Sequence, residues 1–149
     1  MASCCAAGAA SSGSDEDTVN YLKLFGEKVG IAFQIKDDLF DYQKTTITGK
    51  PSGIDIKEQK MTLPLIYLLN NSSPTEKNKI INTVKRYHDD TKRVNALIKQ
   101  VNESGGIEYA KQKMLEYSNQ AIKMLDKLPD SPAKTSLAQL VIYTTERNK

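Results

Sequence analysis

The interpretation of the fold begins with residues 30–42, which read Gly30-Ile31-Ala32-Phe33-Gln34-Ile35-Lys36-Asp37-Asp38-Leu39-Phe40-Asp41-Tyr42. They belong to a longer segment that starts at Ser14 or Asp15, has acidic residues in its first turn and runs to about Gln43. Its apolar residues are spread around most of a helical circumference, as is typical of a helix buried on most sides. They are Leu22, Phe25, Val29, Ala32, Phe33, Ile35, Leu39 and Phe40.

The rest of the chain also has the pattern of helices separated by short breaks. Residues 2 to about 12 are small and helix-compatible, and they end at Gly13. Periodic apolar positions and Ser-Pro starts predict further helices at about 61–69, 73–88, 94–101, 107–128 and 131–147. We find no alternating strand pattern and no internal repeat. The 149 residues therefore predict an all-α helical bundle that forms one domain by length.

Composition and charge exclude several classes of protein. The 21 basic and 18 acidic residues are spread along the chain, whereas nucleic-acid binding needs clustered Lys and Arg. Cys4 and Cys5 are neighbours, so they form no ordinary disulfide framework, and a reduced intracellular protein is expected. The N-terminus lacks the features of a secretory signal, and no run approaches the ~20 apolar residues of a membrane span. We predict a soluble, cytoplasmic protein.

A group of polar side chains shares one face of the long helix. Gln34, Asp37, Asp38 and Asp41 stand at i, i+3, i+4 and i+7, with Asp37 and Asp41 ~6 Å apart along the axis. Carboxylates this close repel each other, and burial of unpaired charge is costly, so a cation is the expected partner. Oxygen ligands at this spacing suit Mg²⁺. The alternative is a solvated acidic face; the apolar neighbours and the basic loop that follows favour the metal.

The loop after the aspartates supplies the opposite charge. It reads Gly49-Lys50-Pro51-Ser52-Gly53-Ile54-Asp55, and Lys57 and Lys60 follow. Lysine is a mobile point charge that suits a diphosphate, and glycine allows the backbone to approach closely. Carboxylates that hold Mg²⁺ on one side and Lys50 and Lys60 on the other would form a clamp for a leaving diphosphate.

Three runs in this order carry a family resemblance: Gly30-x-x-Phe33-Gln34-x-x-Asp37-Asp38-x-x-Asp41, Gly49-Lys50-x-x-Gly53-x-Asp55 and Lys60-x-Thr62-x-Pro64. They resemble the second aspartate-rich motif of the trans-isoprenyl diphosphate synthases (polyprenyl synthetases) and the lysine-bearing loop after it. The resemblance is sharpest over residues 26–69. The small-residue segment before Gly13 is also similar to the helix that precedes this motif.

The resemblance implies a Mg²⁺-dependent prenyltransferase with an isoprenoid-synthase-type fold, a homodimer at full length. In that family, metal ions on two aspartate motifs grip an allylic diphosphate, and its departure leaves an allylic cation that isopentenyl diphosphate attacks. The metal neutralises the leaving group as a Lewis acid. The roles implied for this chain are Mg²⁺ binding by Asp37, Asp38 and Asp41, catalysis by Asp37, Asp38 and Gln34, and diphosphate binding by Lys50, Lys60 and Arg147.

The chain also departs from the family pattern. It has no first aspartate-rich motif and no upstream Arg/Lys set for isopentenyl diphosphate. We therefore predict that residues 1–149 are a partial prenyltransferase domain, the C-terminal half of a synthase, and inactive alone. The alternatives are a non-catalytic, synthase-like helical partner subunit and a terpene cyclase; the lysine loop favours a synthase over a cyclase.

Overall fold

All regular structure in the described residues is helical. The structure is a computed structural model that describes residues 1–43 and 53–147. No strand and no helix long and apolar enough to cross a bilayer is found in these ranges. The all-α prediction is therefore confirmed. The helices are α1 (Ala2–Ser11), α2 (Glu16–Phe40), α3 (Ile54–Lys57), α4 (Leu63–Asn70), α5 (Pro74–Arg86), α6 (Thr91–Glu103), α7 (Gly106–Leu125) and α8 (Pro132–Glu146).

The long helix α2 begins where its capping residue predicts. The Asp15 carboxylate accepts a hydrogen bond from the amide of Thr18 at 2.7 Å, which satisfies one of the free N–H groups of the first turn. Glu16 and Asp17 add negative charge at the positive end of the helix dipole. The predicted start at Ser14 or Asp15 is thus correct to within one or two residues.

The C-terminal end of α2 differs from the prediction. The helix was expected to reach about Gln43 but ends at Phe40. The amides of residues 41–43 each donate to the carbonyl three residues earlier, so the last turn is tightened. The carbonyl of Asp41 accepts a hydrogen bond from the amide of Gly53 at 3.1 Å. The tightened turn and this long-range hydrogen bond thus mark the end of α2.

The chain divides into two compact units. Unit 1 contains Met1–Lys36 and the C-terminal stretch that begins at Lys113, and unit 2 contains Asp37–Gln112. Helices α2 and α7 each contribute residues to both units. The predicted site residues are consequently distributed over the two units, with the three aspartates of the motif in unit 2.

Unit 1 is held together by a small apolar core and by polar contacts between α2 and α7. The Tyr21 hydroxyl donates to the carbonyl of Met124 at 2.5 Å, and the Lys28 ammonium donates to the Gln120 side chain at 2.7 Å. Both contacts are partly buried and join α2 to α7. The buried core consists of Phe25, Val29, Ala121, Leu125 and Val141.

Unit 2 packs α4, α5 and α6 around the larger core. Helix α5 starts after Ser73, as the Ser-Pro pair predicts, and Ser73 and Glu76 form a reciprocal capping box there. At the start of α7, a side chain on Gly106 would stand 2.6 Å from the carbonyl oxygen of Pro64, so only glycine fits. The core consists of Tyr42, Ile56, Leu65, Ile80, Val84, Val94, Leu97, Ile98 and Val101.

Candidate active site

The aspartates of the motif lie at the end of α2. Asp37 and Asp38 are in its last turn and are half-buried, while Leu39 and Tyr42 beside them are buried at 4% and 5% exposure. Asp41 is also half-buried but stands one residue beyond the helix. The helical placement of Asp37 and Asp38 is as predicted, whereas the position of Asp41 depends on the tightened last turn.

Asp41 ties the end of α2 to the start of α3. Its Oδ1 accepts a hydrogen bond from the amide of Ile54 at 2.8 Å, and its Oδ2 accepts one from the amide of Asp55 at 3.2 Å. Its backbone carbonyl binds the amide of Gly53. Three backbone groups from residues 53–55 are therefore fixed by one residue of the aspartate motif.

The carboxylates produce a region of negative potential in unit 2. Burial raises the pKa of Asp41, and the Asp55 carboxylate raises it further, against the hydrogen bonds from residues 53–55, which lower it. The pKa of Tyr42 is also raised, first by burial and then by the negative charges of Asp41, Asp55 and Asp38. Asp55 thus belongs electrostatically to the same group as Asp38 and Asp41.

A buried hydroxyl pair connects this region to α4. The hydroxyl groups of Tyr42 and Thr62 are hydrogen-bonded, and the two residues are 5% and 4% exposed. Thr62 is the residue before α4, yet its hydroxyl makes no capping bond to the helix. Within the Lys60-x-Thr62-x-Pro64 motif, threonine therefore has a structural role, because its side chain joins the end of the aspartate segment to the next helix.

Tyr42→Phe is expected to lower the free energy of unfolding by about 1–3 kcal/mol, because it leaves the buried Thr62 hydroxyl without its partner. Urea denaturation of the single variants Tyr42→Phe and Thr62→Val and of the double variant measures the coupling. If the pair acts as one unit, Thr62→Val should cost much less in the Tyr42→Phe background. Additive costs would contradict a shared hydrogen bond.

Lys60 also belongs to unit 2, and its ammonium group forms ion pairs with two carboxylates. Its ammonium nitrogen lies 2.5 Å from Glu58 and 3.2 Å from Asp55, and its side chain is 59% exposed. The hydrogen bonds to Glu58 and Asp55 raise the pKa of Lys60, so it stays protonated at neutral pH. Lys60 is thus paired with Asp55 and Glu58, and its role as a diphosphate ligand stays a prediction. Lys50, the other predicted diphosphate ligand, lies outside the described residues.

Gln34 and Arg147 belong to unit 1, whereas the three aspartates belong to unit 2. Gln34 is exposed on α2, three residues before Asp37. The guanidinium carbon of Arg147 lies 4.2 Å from the centroid of the Phe33 ring, a cation–π distance. Their predicted roles, near the allylic cation and at isopentenyl diphosphate, stay predictions.

The donor set fits a hard divalent cation. Asp37, Asp38 and Asp41 offer carboxylate oxygens, which Mg²⁺ and Ca²⁺ prefer. Over residues 1–43 and 53–147, no three Asp, Glu, His or Cys side chains converge closely enough to form a complete metal cage. Mg²⁺ commonly takes one or two carboxylates and completes its shell with water and substrate phosphates. Although Asp41 already accepts two amide hydrogens, each carboxylate oxygen has a second lone pair.

Asp55 is the residue to which the sequence analysis assigned no role. It stands inside the quoted motif, directly after Gly53 and Ile54, but an acidic residue among lysines is ordinarily a surface ion pair. Its burial distinguishes it, since its side chain is only 18% exposed. No signal in the sequence distinguishes it from a surface acid, because its burial depends on the packing of unit 2.

The known proteins that this chain resembles include prenyl diphosphate synthases. A model of the polyprenyl synthetase family matches residues 1–101. Component 2 of the heptaprenyl diphosphate synthase of Bacillus subtilis is 32% identical over 96% of this chain and 40% of its own length. The crystal structure of a geranylgeranyl pyrophosphate synthase from Bacteroides thetaiotaomicron is 36% identical, with a TM-score of 0.86 over 98% of this chain and 48% of its own.

A third relative was solved with ligands. The polyprenyl synthase of Caulobacter crescentus, complexed with calcium and isoprenyl diphosphate, is 28% identical with a TM-score of 0.84. The match covers 99% of this chain and 45% of the other. The chain thus spans less than half the length of each of these three relatives.

Proposed function

Because this chain belongs to the polyprenyl synthetase family, we propose that it forms the part of an isoprenyl diphosphate synthase that carries the second aspartate-rich motif. The reaction is the condensation of an allylic diphosphate with isopentenyl diphosphate. The observation that carries the proposal is the tether from Asp41 to residues 53–55, which holds the aspartate motif beside the segment that ends in Lys60. The proposed metal ligands and the proposed diphosphate ligand Lys60 thus belong to the same unit.

Each side chain has a task that suits its chemistry. Asp37 and Asp38 would hold Mg²⁺, with Asp41 bound directly or through water. The ion, when bound, supplies Lewis-acid neutralisation of the diphosphate leaving group. Lys60 binds a non-bridging diphosphate oxygen through its ammonium group, and Lys50 has the same proposed task. Gln34 presents an amide dipole to the developing allylic cation, and Arg147 binds isopentenyl diphosphate.

The proposal concerns one portion of a longer site. The first aspartate motif that the family resemblance implies is not among these residues, and the chain spans less than half the length of each relative. A homodimer and a cytoplasmic location stay predictions. A second candidate is the non-catalytic helical partner of a complete synthase. The name of the Bacillus relative, component 2, favours a heteromeric arrangement for that protein. This observation supports the second candidate for the present chain.

Magnesium-dependent binding tests the proposal. Calorimetric titration with a non-hydrolysable allylic diphosphate analogue is expected to show weak binding that requires Mg²⁺. Asp37→Asn and Asp38→Asn should each weaken this binding by about tenfold or more, because each removes an anionic ligand of the ion. Asp89→Asn is the matched control, since Asp89 is 89% exposed and follows α5; it should bind like the parent chain.

The opposite result has an equally definite meaning. A folded chain that binds the analogue equally with and without Mg²⁺, or not at all, would contradict a magnesium–diphosphate site in these residues. If the chain is instead the non-catalytic partner of a complete synthase, it should co-purify with that synthase and alter its kcat or KM. Equal losses in Asp89→Asn and Asp37→Asn would indicate a general effect of charge.

A further inference from the structure

We propose that Asp55 is a positioning residue that holds the Lys60 ammonium group where the diphosphate binds. The inference rests on the proposed function, because it gives Lys60 a ligand. It goes beyond that function by assigning a task to a motif carboxylate for which neither the sequence analysis nor the proposed function gives one. At first sight the pairing is unexpected, since a carboxylate bound to a lysine competes with the anion that the lysine is to bind.

The first step of the argument is that Asp55 is fixed. Its amide donates to Asp41 Oδ2 at 3.2 Å, and the preceding amide, of Ile54, donates to Asp41 Oδ1 at 2.8 Å. The residue after it, Ile56, is fully buried in the core of unit 2. The Asp55 backbone is therefore held on both sides, and its side chain is only 18% exposed.

The second step is that Asp55 holds Lys60 at two points. The backbone carbonyl of Asp55 accepts the amide of Lys60 at 2.8 Å, and its Oδ1 accepts the ammonium group at 3.2 Å. A free lysine side chain has four rotatable bonds and must lose much of their freedom to bind an anion. A lysine already held at its backbone and at its nitrogen has lost part of that freedom before the ligand arrives.

Glu58 provides the comparison within the same ion pair. It lies nearer to the Lys60 nitrogen, at 2.5 Å, yet its own side chain is 53% exposed. An exposed carboxylate on a long side chain neutralises the lysine without fixing its position. Both carboxylates compete with an anionic ligand for the Lys60 ammonium group. Only Asp55, whose own position is fixed, also holds that ammonium group in place.

The matched variants Asp55→Asn and Glu58→Gln test this difference, with inorganic pyrophosphate and Mg²⁺ as the calorimetric probe. Each variant removes one negative charge from the surroundings of an anion, so charge alone predicts tighter binding for both. Positioning predicts that Asp55→Asn binds pyrophosphate about tenfold more weakly, whereas Glu58→Gln binds as tightly as the parent or more tightly. Asn keeps the backbone amide that donates to Asp41, so the tether is preserved.

Two further measurements make the outcome decisive. Side-chain NMR of the ligand-free chain should show a more mobile Lys60 ammonium group in Asp55→Asn than in Glu58→Gln. In a Lys60→Met background, Asp55→Asn should have no further effect on pyrophosphate binding, because a residue that acts through Lys60 has nothing left to position. A parent chain that does not bind pyrophosphate would count against the proposed function, and the NMR comparison would still decide whether Asp55 positions Lys60.

Three results would overturn the inference. The first is tighter binding by both variants, which means that the carboxylates only compete for the lysine. The second is equal ammonium mobility in Asp55→Asn and Glu58→Gln. The third is a loss of binding in Asp55→Asn that appears only with Mg²⁺ and persists in the Lys60→Met background, which would make Asp55 a metal ligand.

Discussion

Replacing Gly53 by alanine is expected to lower the free energy of unfolding by about 2–5 kcal/mol. The residue has φ of +81°, in the left-handed region, where a side chain costs ~1–2 kcal/mol. A Cβ atom would also stand 2.8 Å from the Ile98 side chain and 2.9 Å from that of Val94, both in the core of unit 2. Overpacking of this kind typically costs ~1–3 kcal/mol. Urea denaturation measures the total.

Gly13 separates the two parts of this cost. It has almost the same backbone conformation, φ of +77°, but nothing lies within 4 Å of the position of a Cβ atom. Gly13→Ala should therefore cost only the ~1–2 kcal/mol of the left-handed conformation. If Gly53→Ala costs no more than Gly13→Ala, crowding against α6 contributes nothing.

The consequence of Gly53→Ala should extend to ligand binding. The Gly53 amide donates to the Asp41 carbonyl, and the next two amides bind the Asp41 carboxylate. A shift of the backbone at Gly53 would move this group away from the aspartate motif. Magnesium-dependent pyrophosphate binding should therefore weaken in Gly53→Ala even at temperatures where the chain remains folded, and it should be unchanged in Gly13→Ala.

Local signals predicted most of the helices correctly. Ser131 and Pro132 predict the start of α8, and the Ser131 hydroxyl accepts the amide of Lys134 at 3.1 Å. Caps of this type act within four residues, so a single sequence contains all the information that they need. The small-residue helix α1 and the all-α class were likewise predictable, since helical periodicity is local.

Contacts between distant residues could not be predicted in this way. The expected end of α2 was about three residues too late because nothing near Asp41 indicates that its carbonyl binds Gly53. The short helix α3, at Ile54–Lys57, was missed for the same reason. Its first amides are satisfied by Asp41, a residue that lies 13 and 14 positions earlier in the chain.

The candidate site shows the same limit. Spacing on a helix placed Asp37 and Asp38 together, and the family resemblance supplied their proposed ligand. Neither source distinguishes Asp55 from a surface acid, because its burial depends on the packing of unit 2. The hydroxyl pair of Tyr42 and Thr62 is similarly a product of tertiary packing between segments 20 residues apart.

Asp41→Ala is expected to lower the free energy of unfolding by about 2–4 kcal/mol, because the amides of Ile54 and Asp55 lose their acceptor and each unpaired group costs ~1–3 kcal/mol. Relief of the desolvated charge offsets part of this cost. Pyrophosphate binding with Mg²⁺ should fall as well, since the segment that leads to Lys60 is no longer tied to the motif. Asp89→Asn is again the control, with both quantities unchanged.

The pH dependence of the Asp41→Ala effect tests the cause of the loss. The pKa of Asp41 is raised above its ordinary value of 3.8 in the folded chain, chiefly by burial and then by the charge of Asp55. Between those two pKa values the folded state binds more protons than the unfolded state, so the parent chain's free energy of unfolding falls as pH rises through this window. The variant lacks this titration. The destabilisation caused by Asp41→Ala should therefore be largest below pH 3.8 and smaller at neutral pH, as denaturation midpoints over an acidic-to-neutral series would show. Growth of the effect with rising pH would mean instead that the hydrogen bonds from residues 53–55 outweigh burial, and that Asp41 is stabilised in its charged form.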